Sequence, residues 1–125
     1  MTKEQLKGYR DRAVELARHA SRITEISHEI NYHLHSEAAN DDALIYTLSQ
    51  LSELREHHRE QMRQCNIDMR MVENFIDSLP TEAMRTVVSM RYMDGVKNWQ
   101  LVADAIRMSV RQTQRIHGYA LTLLE

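Results

Sequence analysis

From Leu6 onward, apolar or small side chains recur at alternating steps of three and four: Leu6, Tyr9, Ala13, Leu16, Ala20, Ile23, Ser27, Ile30 and Leu34. Sustained over four heptads, that period reads as one helix with a coiled-coil seam. The run Ser36 to Asp42 interrupts it, and Asn40, Asp41 and Asp42 are suited to cap a second helix. A second seam runs through Leu44, Leu48, Leu51, Leu54, His58, Met62, Cys65, Met69, Val72, Ile76 and Leu79. Its middle, Arg55 to Gln64, lacks strong apolar residues, which predicts looser packing there. At ~1.5 Å per residue the two helices would each be roughly 50 Å long. Neither buries its stripe alone, so the expectation over residues 3–79 is a long helical hairpin, its seams paired within the chain, between chains, or both.

Pro80 ends this pattern. Leu79-Pro80-Thr81-Glu82 reads as the start of a new helix with proline in its first turn. Met84, Val87, Val88, Arg91 and Tyr92 continue it to Gly95, which supplies a left-handed stop. Two short helices then begin near Asn98 and Ser109. The first turns Val102, Ala103 and Ile106 inward, and the small Ala103 lets a second helix cross closely. Arg107-Met108-Ser109 makes a tight connection, with Met108 placed to plug the corner and Ser109 to cap the second short helix. That helix turns Thr113, Ile116, Ala120 and Leu121 inward and Arg111, Gln112, Gln114 and Arg115 outward. The expectation is therefore an all-α chain, with residues 1–79 as a stalk for oligomerisation and residues 80–125 as a three-helix, helix-turn-helix unit.

Composition agrees with helix throughout: three Gly and one Pro in 125 residues leave few breakers. One Trp and one Phe leave the core to Leu, Ile and eight Met. The single cysteine, Cys65, excludes an internal disulfide and fits a reducing cytoplasm. No apolar run approaches the ~20 residues of a membrane span, and the polar start is unlike a signal peptide, so the expected setting is the cytoplasm with no membrane partner. The net charge of −2 divides unevenly. Residues 1–79 hold 10 Lys/Arg against 14 Asp/Glu, and residues 80–125 hold 6 against 4, so the excess of positive charge falls on the three-helix unit.

Candidate chemistry concentrates in that unit. Arg and Gln make bidentate contacts to guanine and adenine edges in the major groove, which singles out Arg111, Gln112, Gln114 and Arg115. Arg107, Arg111 and Arg115, four residues apart, form a basic stripe. Lys97 and Asn98 precede a helix, where side chains and free N–H groups can hold phosphate. Ser109 opens the reading helix. Trp99 is read as core. The seven histidines suggest a metal only weakly: His28 lacks a second histidine four residues on, and His33 and His35 face different ways. His57 and His58 are read as solvated, and Tyr32 and Met69 to Met71 as packing. No phosphate loop or nucleophile elbow is present in the sequence, so no enzyme, metal or cofactor is expected.

Leu79-Pro80, Arg91-Tyr92-Met93-Asp94-Gly95, Trp99-Gln100-Leu101-Val102-Ala103, Ser109, Arg115-Ile116-His117 and Ala120-Leu121 together resemble the fourth region of sigma factors. The pattern is most similar to phage regulators built on that region, the RinA/ArpU-type late-operon activators. It covers about 46 residues by motif and the first 79 only by architecture. The resemblance implies a bacterial host cell, double-stranded DNA as partner, and RNA polymerase as a second candidate partner. Three positions depart from it: Arg107 stands where glycine is common, Thr113 where a larger aliphatic is common, and no acidic residue lies outward between Ser109 and Arg115.

Three function classes are open to such a chain. The first is a sequence-specific transcription regulator that self-associates through its stalk, a dimer being favoured. The second is an interaction protein whose sigma-like unit binds RNA polymerase or another protein. The third is a phage DNA-packaging recognition subunit, for which multimers of higher order would be expected.

Overall fold

The structure, a computed structural model, describes residues 1–36 and 41–124. Asn40, one of the expected caps, lies outside them. Among the described residues the chain is all-α, 82% helical and without strands. Its elements are α1 (Lys3–Lys7), α2 (Tyr9–Leu34), α3 (Asp42–Asp77), α4 (Glu82–Val88), a π-helical turn (Ser89–Met93) that continues α4, α5 (Trp99–Ile106) and α6 (Val110–Leu121).

Local chemistry sets the ends of these helices. Thr2 Oγ1 accepts from the Gln5 N–H at 3.2 Å while the Thr2 N–H donates to Gln5 Oε1 at 2.7 Å, a reciprocal cap that starts α1. The first helix is stepped rather than continuous. At Gly8 (φ −81°, ψ −3°) α1 ends, and the ladder resumes with the Arg12 N–H on the Gly8 carbonyl at 3.0 Å. Asp41 caps α3 as its side chain suggests, its Oδ1 accepting from the Ala43 N–H at 3.0 Å. Pro80 lies before α4, not in its first turn. Thr81 is the cap, accepting from the Met84 N–H at 3.2 Å, because its hydroxyl can satisfy a free N–H that proline cannot. Gly95 takes φ +71°, and the Val96 N–H returns to the Met90 carbonyl at 2.9 Å, closing the segment as expected.

The chain divides into two units. One comprises Val14–Asn66. Within it, α2 and α3 meet in antiparallel order through polar pairs: Glu15 with Cys65, His19 with His58, and Ser27 with Arg55. His58 is thus bonded to His19, Nδ1 to Nδ1 at 2.7 Å, and is not solvated as its sequence neighbours suggest. One ring must donate and the other accept. Burial, then the charges of His19, His57 and Arg22, holds the His58 pKa below its ordinary value. Within the stretch from Arg55 to Gln64 the Arg55 Nε is buried with no hydrogen-bond partner among the described residues, a cost of ~1–3 kcal/mol. Ile26, absent from the seam, is fully buried, and Leu34, on the seam, is exposed. Ile23, Ile26 and Ile30 make their own three-four row, and burying Ile26 gains ~1.5–3 kcal/mol that Ser27 could not supply. Leu34 is the last residue of α2.

The other unit joins Met1–Ala13 to Ile67–Glu125, so the sigma-like residues share a unit with both ends of the expected stalk. The reason is one core: Leu6, Tyr9, Val72, Ile76, Leu79, Val88 and Ala120 are buried together. The Tyr9 hydroxyl donates to Glu73 at 2.8 Å, and burial together with that carboxylate pushes its pKa up to about 12. Val87, Val102, Ala103 and Thr113 are fully buried where α4, α5 and α6 pack on one another. Leu6→Ala is expected to cost the folded protein ~2–5 kcal/mol, read from urea unfolding, because Leu6 is fully buried in that core. A loss under about 0.5 kcal/mol would place residues 1–13 outside it.

Candidate nucleic-acid interface

The elements that carry the candidate residues are built by short-range hydrogen bonds. Asn98 starts α5 by accepting from the Gln100 N–H at 2.9 Å. α5 stops at Arg107, which takes the left-handed conformation (φ 57°, ψ 44°) without being glycine, at a cost of ~1–2 kcal/mol. The Met108 N–H then returns to the Ala103 carbonyl at 3.1 Å and closes the corner. The turn therefore has the left-handed form usually given to glycine, with arginine bearing the strain. Met108 is 40% exposed and does not plug the corner, which backbone hydrogen bonds already close.

Ser109 begins α6 through a second reciprocal cap. Its Oγ accepts from the Gln112 N–H at 3.1 Å, and its own N–H donates to Gln112 Oε1 at 3.2 Å. Thr113, smaller than the aliphatic of the sigma pattern, is fully buried, and its hydroxyl donates to the Ser109 carbonyl at 2.8 Å. Satisfied inside its own helix, that hydroxyl carries no burial penalty. Ala120 is likewise fully buried, so one face of α6 is committed to the core.

The opposite face carries the expected residues. Arg111, Gln112, Gln114 and Arg115 are all exposed on α6, and Arg107 is exposed on the turn, outside the helix. The basic stripe on α6 is therefore Arg111 and Arg115. Lys97 is exposed in the segment before α5, and Asn98 and Ser109 are exposed with their side-chain oxygens engaged in capping. Gln112 likewise spends its Oε1 on Ser109. Among the described residues every ion pair falls within residues 12–68. Lys97, Arg107, Arg111 and Arg115 therefore meet no carboxylate within 4.0 Å among those residues.

A cluster that sequence spacing does not signal supports this surface from beneath. The Arg91 guanidinium lies 4.3 Å from the centroid of the Trp99 ring and donates to the carbonyls of Val96 at 3.3 Å and Lys97 at 2.5 Å. His117 of α6 meets the Trp99 ring edge-on at 5.1 Å, stacks on Tyr92 at 5.7 Å and shares a 2.7 Å hydrogen bond with the Tyr92 hydroxyl. Trp99 is thus half-buried packing, as expected, but its face is also used by a cation. Through Arg91 the segment bearing Lys97 is tied to α5, and through the contact of Trp99 with His117 to α6. Burial, then the charges of Arg91 and Lys3, lowers the His117 pKa, and burial raises that of Tyr92. Neutral His117 is the form that can accept from the Tyr92 hydroxyl.

Comparison with protein-family models, with curated proteins and with solved structures gave no match.

Because the His117 pKa is lowered in the folded chain, the sign of the pH dependence is fixed. As pH falls below the ordinary 6.5, the unfolded chain takes up a proton that folded His117 resists, and stability is lost. The unfolding temperature should drop between about pH 7.5 and about pH 5.5, and His117→Gln should shrink that drop. An unchanged pH dependence in the variant would contradict the Tyr92–His117 contact.

Proposed function

We propose that the chain is a sequence-specific DNA-binding transcription regulator, with residues 80–125 acting as a helix-turn-helix and α6 as its reading helix. One observation carries this reading. α6 buries Thr113 and Ala120 on one face and presents Arg111, Gln114 and Arg115, without acidic partners among the described residues, on the other. A helix anchored so firmly on one side can enter the major groove as a rigid body, and Arg and Gln are the side chains suited to base edges there. The likeness of the motif residues to the fourth region of sigma factors supports the same reading, as does their likeness to phage late-operon activators.

The roles divide by what each side chain is already doing. Arg111, Gln114 and Arg115 read bases. Gln112 and Ser109 hold the start of α6 in place, and Gln112 keeps its amide N–H groups for a neighbouring base or phosphate. Arg107 and Lys97 hold phosphates on either side. The unit Val14–Asn66 is the part of the expected stalk through which the chain self-associates as a dimer. Exposed Tyr32 and Leu34 of α2 and Ile45 and Tyr46 of α3 supply apolar surface for that purpose. A dimer would set two reading helices on two half-sites.

Replacing Arg111 or Arg115 by alanine should weaken binding to a selected duplex by ~1–3 kcal/mol and relax preference at one base position. Lys97→Gln should weaken all duplexes alike. Fluorescence anisotropy on the selected and a scrambled duplex checks both. If R111A and R115A leave the preference intact, α6 is not the reader, and a protein-binding role for its exposed face takes precedence.

A further inference from the structure

A pocket of about 280 Å³ lies beside the α4–α5 connection, within the unit that carries the reading helix, and is lined by Lys7, Arg10, Asp11, Arg91, Tyr92, Gly95 and Lys97. Four of these are cationic and one is acidic, in a chain whose net charge is −2. Arg91 is occupied by backbone carbonyls and Trp99. Lys7, Arg10 and Lys97 are different: all three are exposed, and among the described residues none pairs with a carboxylate within 4.0 Å. Arg10 lies directly against the connection. A β-carbon on Gly95 would overlap its guanidinium, so the absence of a side chain there is what lets Arg10 lie across the connection.

From this we infer that Lys7, Arg10 and Lys97 form a phosphate-binding site, and that the phosphate it takes is one of the DNA backbone. The inference rests on the DNA reading above and extends it. Lys97 alone would be a point contact. With Lys7 and Arg10 it becomes a concave site holding three cations. Two of them come from the first ten residues of the chain, at the opposite end of the sequence from the reading helix. Arginine offers a planar fork to phosphate oxygens and lysine a point charge, a combination suited to gripping one phosphate from several directions. Asp11 is the only acid of the lining and tempers the site. Such a contact carries no sequence information but fixes the register of the protein on the duplex.

The test uses the full chain with Lys7→Gln, Arg10→Gln and Asp11→Asn, on the selected and the scrambled duplex over a range of salt. Inorganic pyrophosphate is titrated in parallel. Lys7→Gln and Arg10→Gln, both at exposed positions, should each weaken both duplexes by the same factor and reduce the salt slope by ~0.9. Asp11→Asn should tighten both. If the wild-type slope survives in K7Q and R10Q while K97Q lowers it, the site is overturned as a DNA contact. Saturable pyrophosphate binding that is lost in K7Q and R10Q would then assign the pocket to a small phosphate compound. No saturable pyrophosphate binding would remove the site altogether. Should the wild type prefer no duplex at all, the regulator reading fails on its own account, and the pyrophosphate arm alone decides whether phosphate binds here.

Discussion

Burial of Leu6, Tyr9, Val72, Ile76, Leu79, Val88 and Ala120 in one core is the interaction on which the rest of this unit depends. It draws the first thirteen residues and the end of α3 into the same unit as α4, α5 and α6. Without it, α1 would be a five-residue helix with no reason to persist in water. With it, Arg10 lies against Gly95 and Lys7, Arg10 and Lys97 line one pocket, so positions far apart in the sequence come together.

The corner between α5 and α6 is a second constraint, and here arginine bears a conformation that glycine takes freely. The strain is offset locally by the backbone bond from Met108 to Ala103 and by the reciprocal cap of Ser109 and Gln112. What the strain obtains is a cation on the turn itself, beside the exposed face of α6. On the proposed DNA reading, that cation is one that can meet a phosphate.

Much of this is legible in the sequence because it is local. Gly95, Asn98 and Ser109 announce their turns and caps by residue type, and the three-four spacing of Val102, Ile106, Thr113, Ile116 and Ala120 gives the inward faces of α5 and α6. Pro80 reads as part of the first turn of α4 but stands before it, because Thr81 offers the better cap. Met108 reads as a corner plug, yet hydrogen bonds close that corner instead. The seam omits Ile26, where a strong aliphatic beside the stripe displaces a weak seam residue. Relations across long separations are not legible at all. Nothing near His58 in the sequence indicates His19, and nothing near Gly95 indicates Arg10. Ser109 and Gln112 carry a subtler ambiguity, since the polar groups that suit DNA also suit a helix cap, and local geometry assigns them to the cap.

The central claim is that the exposed face of α6 reads bases in the major groove. Selection of duplexes from a random pool by the full chain, followed by methylation interference on the enriched site, addresses it most directly. Methyl groups on guanine N7 project into the major groove, where Arg111 and Arg115 would pair, whereas those on adenine N3 lie in the minor groove. The account predicts enrichment of a defined site and loss of binding on N7 methylation within it. Interference confined to adenine N3, or no enrichment over the starting pool, would contradict it.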